Sequence, residues 1–264
     1  MSEPAPTLAP LSSALAPSLL RALGGVWRLT YPEFFRTRRL LVLAGLSAVL
    51  FLLTRQNVGL GRGEQFLEWT IGFYLRVLAP IVALLSAAGA IRDDMASVSV
   101  DYVLTRPVRR PVFVALRYLS QMTCLQLSGL IPFAALVLAG YTADVSGLGR
   151  VAFPILAAQG LAITGFSALG FLLGALTARY FPLAIAYGLI VEIGVGNIPT
   201  QVSRLSMTHH VLAMLDGLMA PGTGGVAMAA SACGAIALFV ALALGGAIAV
   251  FSLREFTGAS APEK

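Results

Sequence analysis

Residues 91–118, IRDDMASVSVDYVLTRPVRRPVFVALRY, form the longest charged interruption between two apolar runs. They hold Arg92, Asp93, Asp94, Asp101, Arg106, Arg109, Arg110 and Arg117 in a chain of which only 11% is charged. A soluble domain carries about 25% charged residues. With 58% hydrophobic residues over 264 positions and a mean hydropathy of +0.85, the remainder has more apolar surface than a water-soluble globule of this size can hide. The sequence therefore reads as an integral membrane protein. The charged stretch reads as the place where such a protein would touch a soluble partner.

About 20 apolar residues cross a bilayer as a helix, at ~1.5 Å per residue against a hydrocarbon core ~30 Å thick. A β-barrel would need alternating polarity. The apolar runs here are continuous and rich in Ala and Leu, so the expected fold class is all-α. Residues 1–17, rich in Pro, Ala and Ser, read as a disordered tail with no signal-peptide pattern. In residues 18–31, Leu19, Leu20, Leu23, Val26, Trp27, Thr30 and Tyr31 share one helical face and Arg21 and Arg28 the other, which predicts an amphipathic helix in the membrane interface. Pro32 is expected to end it, before a basic collar at 33–39.

Six spans are expected, at about 40–54, 71–91, 118–140, 151–176, 183–198 and 226–253. The charged loop covers 92–117, a polar outer segment 200–225, and a short tail 254–264. Residues 207–219 inside the outer segment read as a short helix. Arg39 and Arg55 would snorkel from a short first span, and Arg76 is placed at the outer interface of the second. The Gly170-x-x-x-Gly174-x-x-x-Ala178 series puts small residues on one face of the fourth span, without identifying the helix that packs there.

An even number of spans puts both termini on one side. Placing them in the cytoplasm leaves only Arg55, Arg62, Arg76, Arg150 and Arg204 outside, among 18 basic residues. The positive-inside rule then makes the charged stretch cytoplasmic. The same rule accounts for a net charge of +6 without any nucleic-acid partner.

The sequence contains no HExxH, no GxSxG and no GxxxxGK[ST] loop, so it has no nucleotide-hydrolysing motif of its own. Cys124 and Cys233 lie in apolar runs, outside any redox or metal spacing, and no metal or bound cofactor is expected. His209 and His210 are adjacent and point to different sides of a helix, which argues against a shared metal. Gln121 and Gln126 in the third span must face other helices or a wet cavity, since lipid cannot satisfy them. Glu192 is the acidic residue deepest in an apolar run. It is either a functional intramembrane carboxylate or one that reaches the outer interface beside Asn197. Together these four are the candidate translocation path.

Residues 104–118, LTRPVRRPVFVALRY, resemble the LLsrPvsR…fvlgKyl pattern of ABC-transporter permeases of the type-2 exporter family. Residues 32–39, PEFFRTRR, resemble that family's kEf..l.RsR entry to the first span. Asp93-Asp94 stand in the family's acidic position, Ser97-Val98 where it often has Gly-Thr, and Arg117 where it often has Lys. The resemblance covers nearly the whole chain. It implies a six-span permease of a bacterial cytoplasmic membrane, in contact with membrane lipids. It also implies a second permease copy or paralogue, and separate ATPase subunits that hold ATP and Mg. An envelope accessory protein is compatible with it.

The resemblance further implies a cytoplasmic coupling helix at about 94–104, followed by a turn at 106–110. ATPase contacts would fall at Asp93, Asp94, Ser97, Asp101, Tyr102, Arg106, Arg109 and Arg110. A smaller contact would come from the turn at Arg179, and residues 200–225 would fold near an outer gate. The charge pattern itself agrees. Acidic residues precede a basic cluster stiffened by Pro107 and Pro111, which suits a charged cleft. Two other readings are an ion-coupled secondary transporter using Glu192 and a non-transporting membrane scaffold. The first predicts paired halves with matching broken helices, and no internal repeat is visible.

Overall fold

The computed structural model describes residues 19–58, 61–96, 110–195, 201–220 and 222–253. Among these every regular element is helical. They are α1 (Leu19–Phe34), α2 (Thr37–Asn57), α3 (Gly63–Trp69), a π-wound stretch (Thr70–Leu78), α4 (Ala79–Ala96), α5 (Arg110–Thr142), α6 (Leu148–Leu176), α7 (Tyr180–Tyr187), a second π-wound stretch (Gly188–Val195), a 3-10 turn (Gln201–Leu205), α8 (Met207–Met219) and α9 (Thr223–Leu253). Five helices are long and apolar enough to cross a membrane: Thr37–Asn57, Gly63–Asp93, Pro111–Thr142, Leu148–Leu176 and Thr223–Leu253.

Several ends differ from the sequence reading. α1 runs past Pro32 to Phe34, because the Phe35 N–H still donates to the Tyr31 carbonyl at 3.0 Å and only proline's own N–H is lost. The first span is not short: α2 takes in Arg38, Arg39 and Arg55 over 21 residues. The second begins at Gly63, eight residues before the expected 71, with Glu64 of its first turn and Glu68 of its second both exposed. The charged loop shrinks from both sides, with α4 ending at Ala96 and α5 starting at Arg110. The expected fifth span is a shorter apolar helix, Tyr180–Glu192, followed by three more π-wound residues. Its apolar run ends at Glu192, so at ~1.5 Å per residue it covers only about 20 Å. The short helix at Met207–Met219 falls where the sequence reading put it.

α6 is the central post. Of its apolar stretch 67% is buried, against 17% for α2 and 22% for α9. α4 lies along one side of it, and α8 and α9 along another. The α4 contact depends on two glycines. A Cβ at Gly170 would collide with the Leu84 carbonyl oxygen, and one at Gly174 with that of Ala88. The small-residue face thus has a partner, the 84–91 half of α4. Ala178, the expected third member, lies beyond the helix in the exposed turn before α7. Gly165 faces elsewhere, towards Met207 and Ile236.

Polar side chains tie the remaining helices together. Tyr74 donates to Gln159 at 2.6 Å, and Gln159 donates to the Gly129 carbonyl at 2.9 Å, which joins three helices through one buried relay. Arg117 is not a loop charge. It is buried in α5 and donates to the Thr30 hydroxyl, which pins α1 to the bundle. The end of α1 carries an aromatic ladder, with Tyr31 tilted against Trp27 and, just past the helix, Phe35 at centroid distances of 4.9 and 4.5 Å.

These contacts sort the helix ends. Phe113 meets Phe251, Tyr118 meets Phe171, and Gly89 lies beside Tyr180. The ends of α4, α6 and α9 and the starts of α5 and α7 therefore share one end of the bundle, with Arg92, Arg117 and Arg179 there. At the other end the Gly61 N–H donates to the Ala143 carbonyl at 3.0 Å, which places the α2–α3 and α5–α6 connections together.

Replacing Gly170 by Ala should cost about 1–3 kcal/mol of stability, the usual range for forcing an extra group into a packed core. Gly45, with open space around its Cα, is the control. Gly45→Ala should be neutral or stabilising by up to about 1 kcal/mol, because it removes glycine's entropy cost in a helix. Thermal unfolding of the two variants in detergent compares them.

Candidate functional site

A cavity of about 990 Å³ opens between the first π-wound stretch, α4, α7, α8 and α9. Its walls are apolar: Val77, Pro80, Ile81, Leu84 and Leu85 on one side, Phe181, Ile185 and Leu189 opposite, and Met228 from α9. Its polar lining includes Arg76, Arg204, His209, His210, Asp216 and Glu192. Both π-wound stretches contribute, with Arg76 on one and Glu192 on the other. Such wide turns are frequent at functional sites, because they break the regular i→i−4 ladder and re-aim side chains. At the first stretch the cause is legible. Pro80 has no N–H to give the Arg76 carbonyl and its ring crowds that group, while the Ala79 N–H reaches back to Tyr74.

Glu192 is the centre of the polar end. Its Oε1 accepts from the Tyr187 hydroxyl at 2.7 Å and the Met207 N–H at 3.1 Å. Its Oε2 accepts from the Ser206 hydroxyl at 2.6 Å and the Thr208 N–H at 3.0 Å. Ser206 is also the N-cap of α8, and its Oγ accepts from the His209 N–H at 3.3 Å. The first N–H groups of a helix have no intrahelical partner and carry the positive end of its dipole. The carboxylate satisfies two of them and borrows two hydroxyls, so a charge inside an apolar run is met without a counter-ion. In doing so it fastens the end of the short 180–195 segment to the outer helix.

The histidines have separate tasks. His210 Nε2 lies 2.9 Å from the Arg204 carbonyl, which requires the proton on Nε2. The His209 ring meets the His210 ring edge-on at 5.4 Å. Burial first, then His210 and Arg204, lower the His209 pKa below that of an ordinary imidazole. At neutral pH His209 is therefore uncharged, and the fixed positive charge at this end comes from Arg76 and Arg204. No three His, Cys, Asp or Glu side chains come close enough to share a metal among the described residues.

Of the expected path residues, only Glu192 lines the cavity among those described. Gln121 donates to the Ser86 carbonyl at 3.4 Å, and Gln126 donates to the Gly160 carbonyl at 2.8 Å and the Thr164 hydroxyl at 3.2 Å. Both tie α5 to its neighbours, which answers their need for partners without a wet path. Asn197 lies outside the described residues, as do Ser97, Asp101, Tyr102, Arg106 and Arg109. Asp94 and Arg110 belong to α4 and α5, and only their backbones are described. Asp93 is exposed at the end of α4. Arg179 is exposed in the α6–α7 turn, where its N–H donates to the Thr177 hydroxyl at 3.1 Å. Sequence reasoning overlooked the cavity role of Arg76 and Arg204, and overlooked Gln159. A lone glutamine within 151–176 was a signal for the latter. No protein-family model matches the chain, and no curated protein does either.

Replacing Glu192 by Gln keeps the shape but removes the charge from the α8 cap. A lost cap costs about 0.5–2 kcal/mol. Amide exchange at the start of α8 should therefore speed up by roughly 2- to 30-fold, the factor that this range supplies. Tyr187→Phe removes one of four donors and should give a smaller change. Hydrogen–deuterium exchange over residues 207–212 reads both.

Proposed function

We propose that this chain is the membrane subunit of an ATP-driven exporter, moved by a separate ATPase that docks on its basic end. One observation carries the reading: the ends of α4 and α5, which flank residues 97–109, emerge at the same end of the bundle as the Arg179 turn. Asp93 and Arg179 are both exposed there. Two contact points close together at one end suit a single soluble partner, and the sequence supplies no nucleotide loop of its own. The arginines gathered there make that end cytoplasmic by the positive-inside rule, in a bacterial inner membrane. α1, with its aromatic ladder and exposed Arg28, lies along that interface.

On this reading the bundle makes six passes. The short 180–195 segment carries the chain most of the way from the basic end, and the 3-10 turn and α8 complete the outer side before α9 returns. The outer cavity is the export-side vestibule. The Glu192 cap holds its gate helix, and a second permease copy closes the open flank. A proton- or ion-binding role for Glu192 fits less well, because both its oxygens are engaged with α8.

The test is purification of the tagged chain from its native membrane. The wild type should retain a P-loop ATPase, identified by its sequence. Arg109→Glu with Arg110→Glu should reduce the retained ATPase by about tenfold or more, since like charges facing each other cost several kcal/mol. The double lysine variant should keep it. A wild-type chain that never brings an ATPase with it would sink the proposal.

A further inference from the structure

A second crevice, of about 700 Å³, shares Ile81 and Leu85 with the first cavity and runs along α4 from there to Asp93. α2 packs on α5 and not along α4, so the two leave a slot between them. Its walls are mostly hydrocarbon, with Leu43, Leu46, Ile81, Val82, Leu85 and Leu125, and hold the hydroxyls of Ser86 and Ser128. Its mouth is the basic collar of Arg36, Arg38 and Arg39, with the Asp93 carboxylate also among the lining residues. Arg36 and Arg38 are exposed, and the Arg39 guanidinium stands over the Phe34 ring at 5.9 Å. From Arg38 to Leu46 the slot follows α2 for about 12 Å at the helical rise. A smaller void lined by Leu43, Val82, Leu125 and Tyr74 continues it inward.

We propose that this slot is a binding site for one anionic phospholipid, with an acyl chain between α2 and α4 and its phosphate on the arginine collar. Among the described side chains, Arg36 and Arg38 are exposed at the mouth beside the carboxylate of Asp93, and guanidinium matches phosphate with paired N–H donors. Basic pockets between membrane helices at one bilayer face recognise anionic head groups in this way. The hydrocarbon walls exclude a free phosphate as the natural occupant, since it would leave them unfilled. This site is separate from the outer cavity and needs no ATPase for its logic.

Native mass spectrometry of the full chain in detergent, titrated with phosphatidylglycerol or with phosphatidylcholine of the same acyl length, tests it. Phosphatidylglycerol should bind one-to-one and more tightly. Arg36→Gln with Arg38→Gln and Arg39→Gln should weaken it about a hundredfold, from the usual contribution of a basic residue near an anionic lipid. The triple lysine variant should stay within about tenfold of wild type. Ala90→Phe keeps every charge and fills the slot. It should abolish saturable binding, and it decides the matter even where the glutamine variant does not fold. Equal binding of the two lipids would reduce the site to ordinary solvating lipid. Unchanged binding in Ala90→Phe, or inorganic phosphate competing as well as the lipid, would leave only a charged surface. Each of those results overturns the proposal.

Discussion

Two backbones touch at Gly170 and Gly174, and the rest of the bundle is arranged around that contact. Within a bilayer an apolar side chain gains little by leaving lipid for another helix, so packing depends on how closely backbones approach. The two glycines let the carbonyls of Leu84 and Ala88 occupy the space where side chains would stand. Once α4 is seated there, the position of Asp93 relative to the α6–α7 turn is set. So is the wall of each crevice, because Ile81 and Leu85 line both. The opposite flank of α6 takes α8 and α9 through Gly165.

Polar groups among these helices divide by length. The longer side chains are joined to a neighbouring helix or turned to a cavity, since hydrocarbon offers them nothing, while the hydroxyls of Ser47, Thr123 and Ser128 donate to carbonyls of their own helices and those of Thr70 and Ser120 are buried without an acceptor among the described residues. Tyr74, Gln121, Gln126 and Gln159 take the first course. Tyr118 does too, donating to the Thr164 carbonyl at 2.9 Å. Glu192 combines both courses. It borders the cavity, yet four donors meet its oxygens, and two of those belong to a helix end that would otherwise lack acceptors. The carboxylate and the α8 N-terminus each satisfy a need of the other.

The helical class and the approximate places of the five long helices were legible, because runs of Ala and Leu admit few alternatives. So was the short helix at Met207–Met219, bounded by Ser206 as cap. Helix ends were harder. Pro32 reads as a stop, yet a proline in a last turn forfeits one hydrogen bond that the turn can lose. Arg117 reads as loop charge because its partner, Thr30, is far away in sequence. The small-residue series showed that some helix comes close, and tertiary structure alone could say which. The π-wound stretches leave no periodic trace, and only Pro80 hints at the first. Glu192 stood out as a charge in an apolar run, but its role depends on a helix that starts fifteen residues later.

α4 is stiffer than the π-wound stretch that leads into it. Its later half is clamped on α6 by the two glycines, so a push at Asp93 is carried along it with little bending. Before Ala79 the winding is wide, Pro80 has removed a hydrogen bond, and the ladder is already interrupted. A rotation begun at the basic end therefore has one soft joint available, at residues 70–80, and that joint carries Arg76 into the outer cavity. The same rotation turns Ile81 and Leu85, which separate the outer cavity from the lipid slot. A motion of this one helix would therefore be felt in both crevices, through the residues that line each of them.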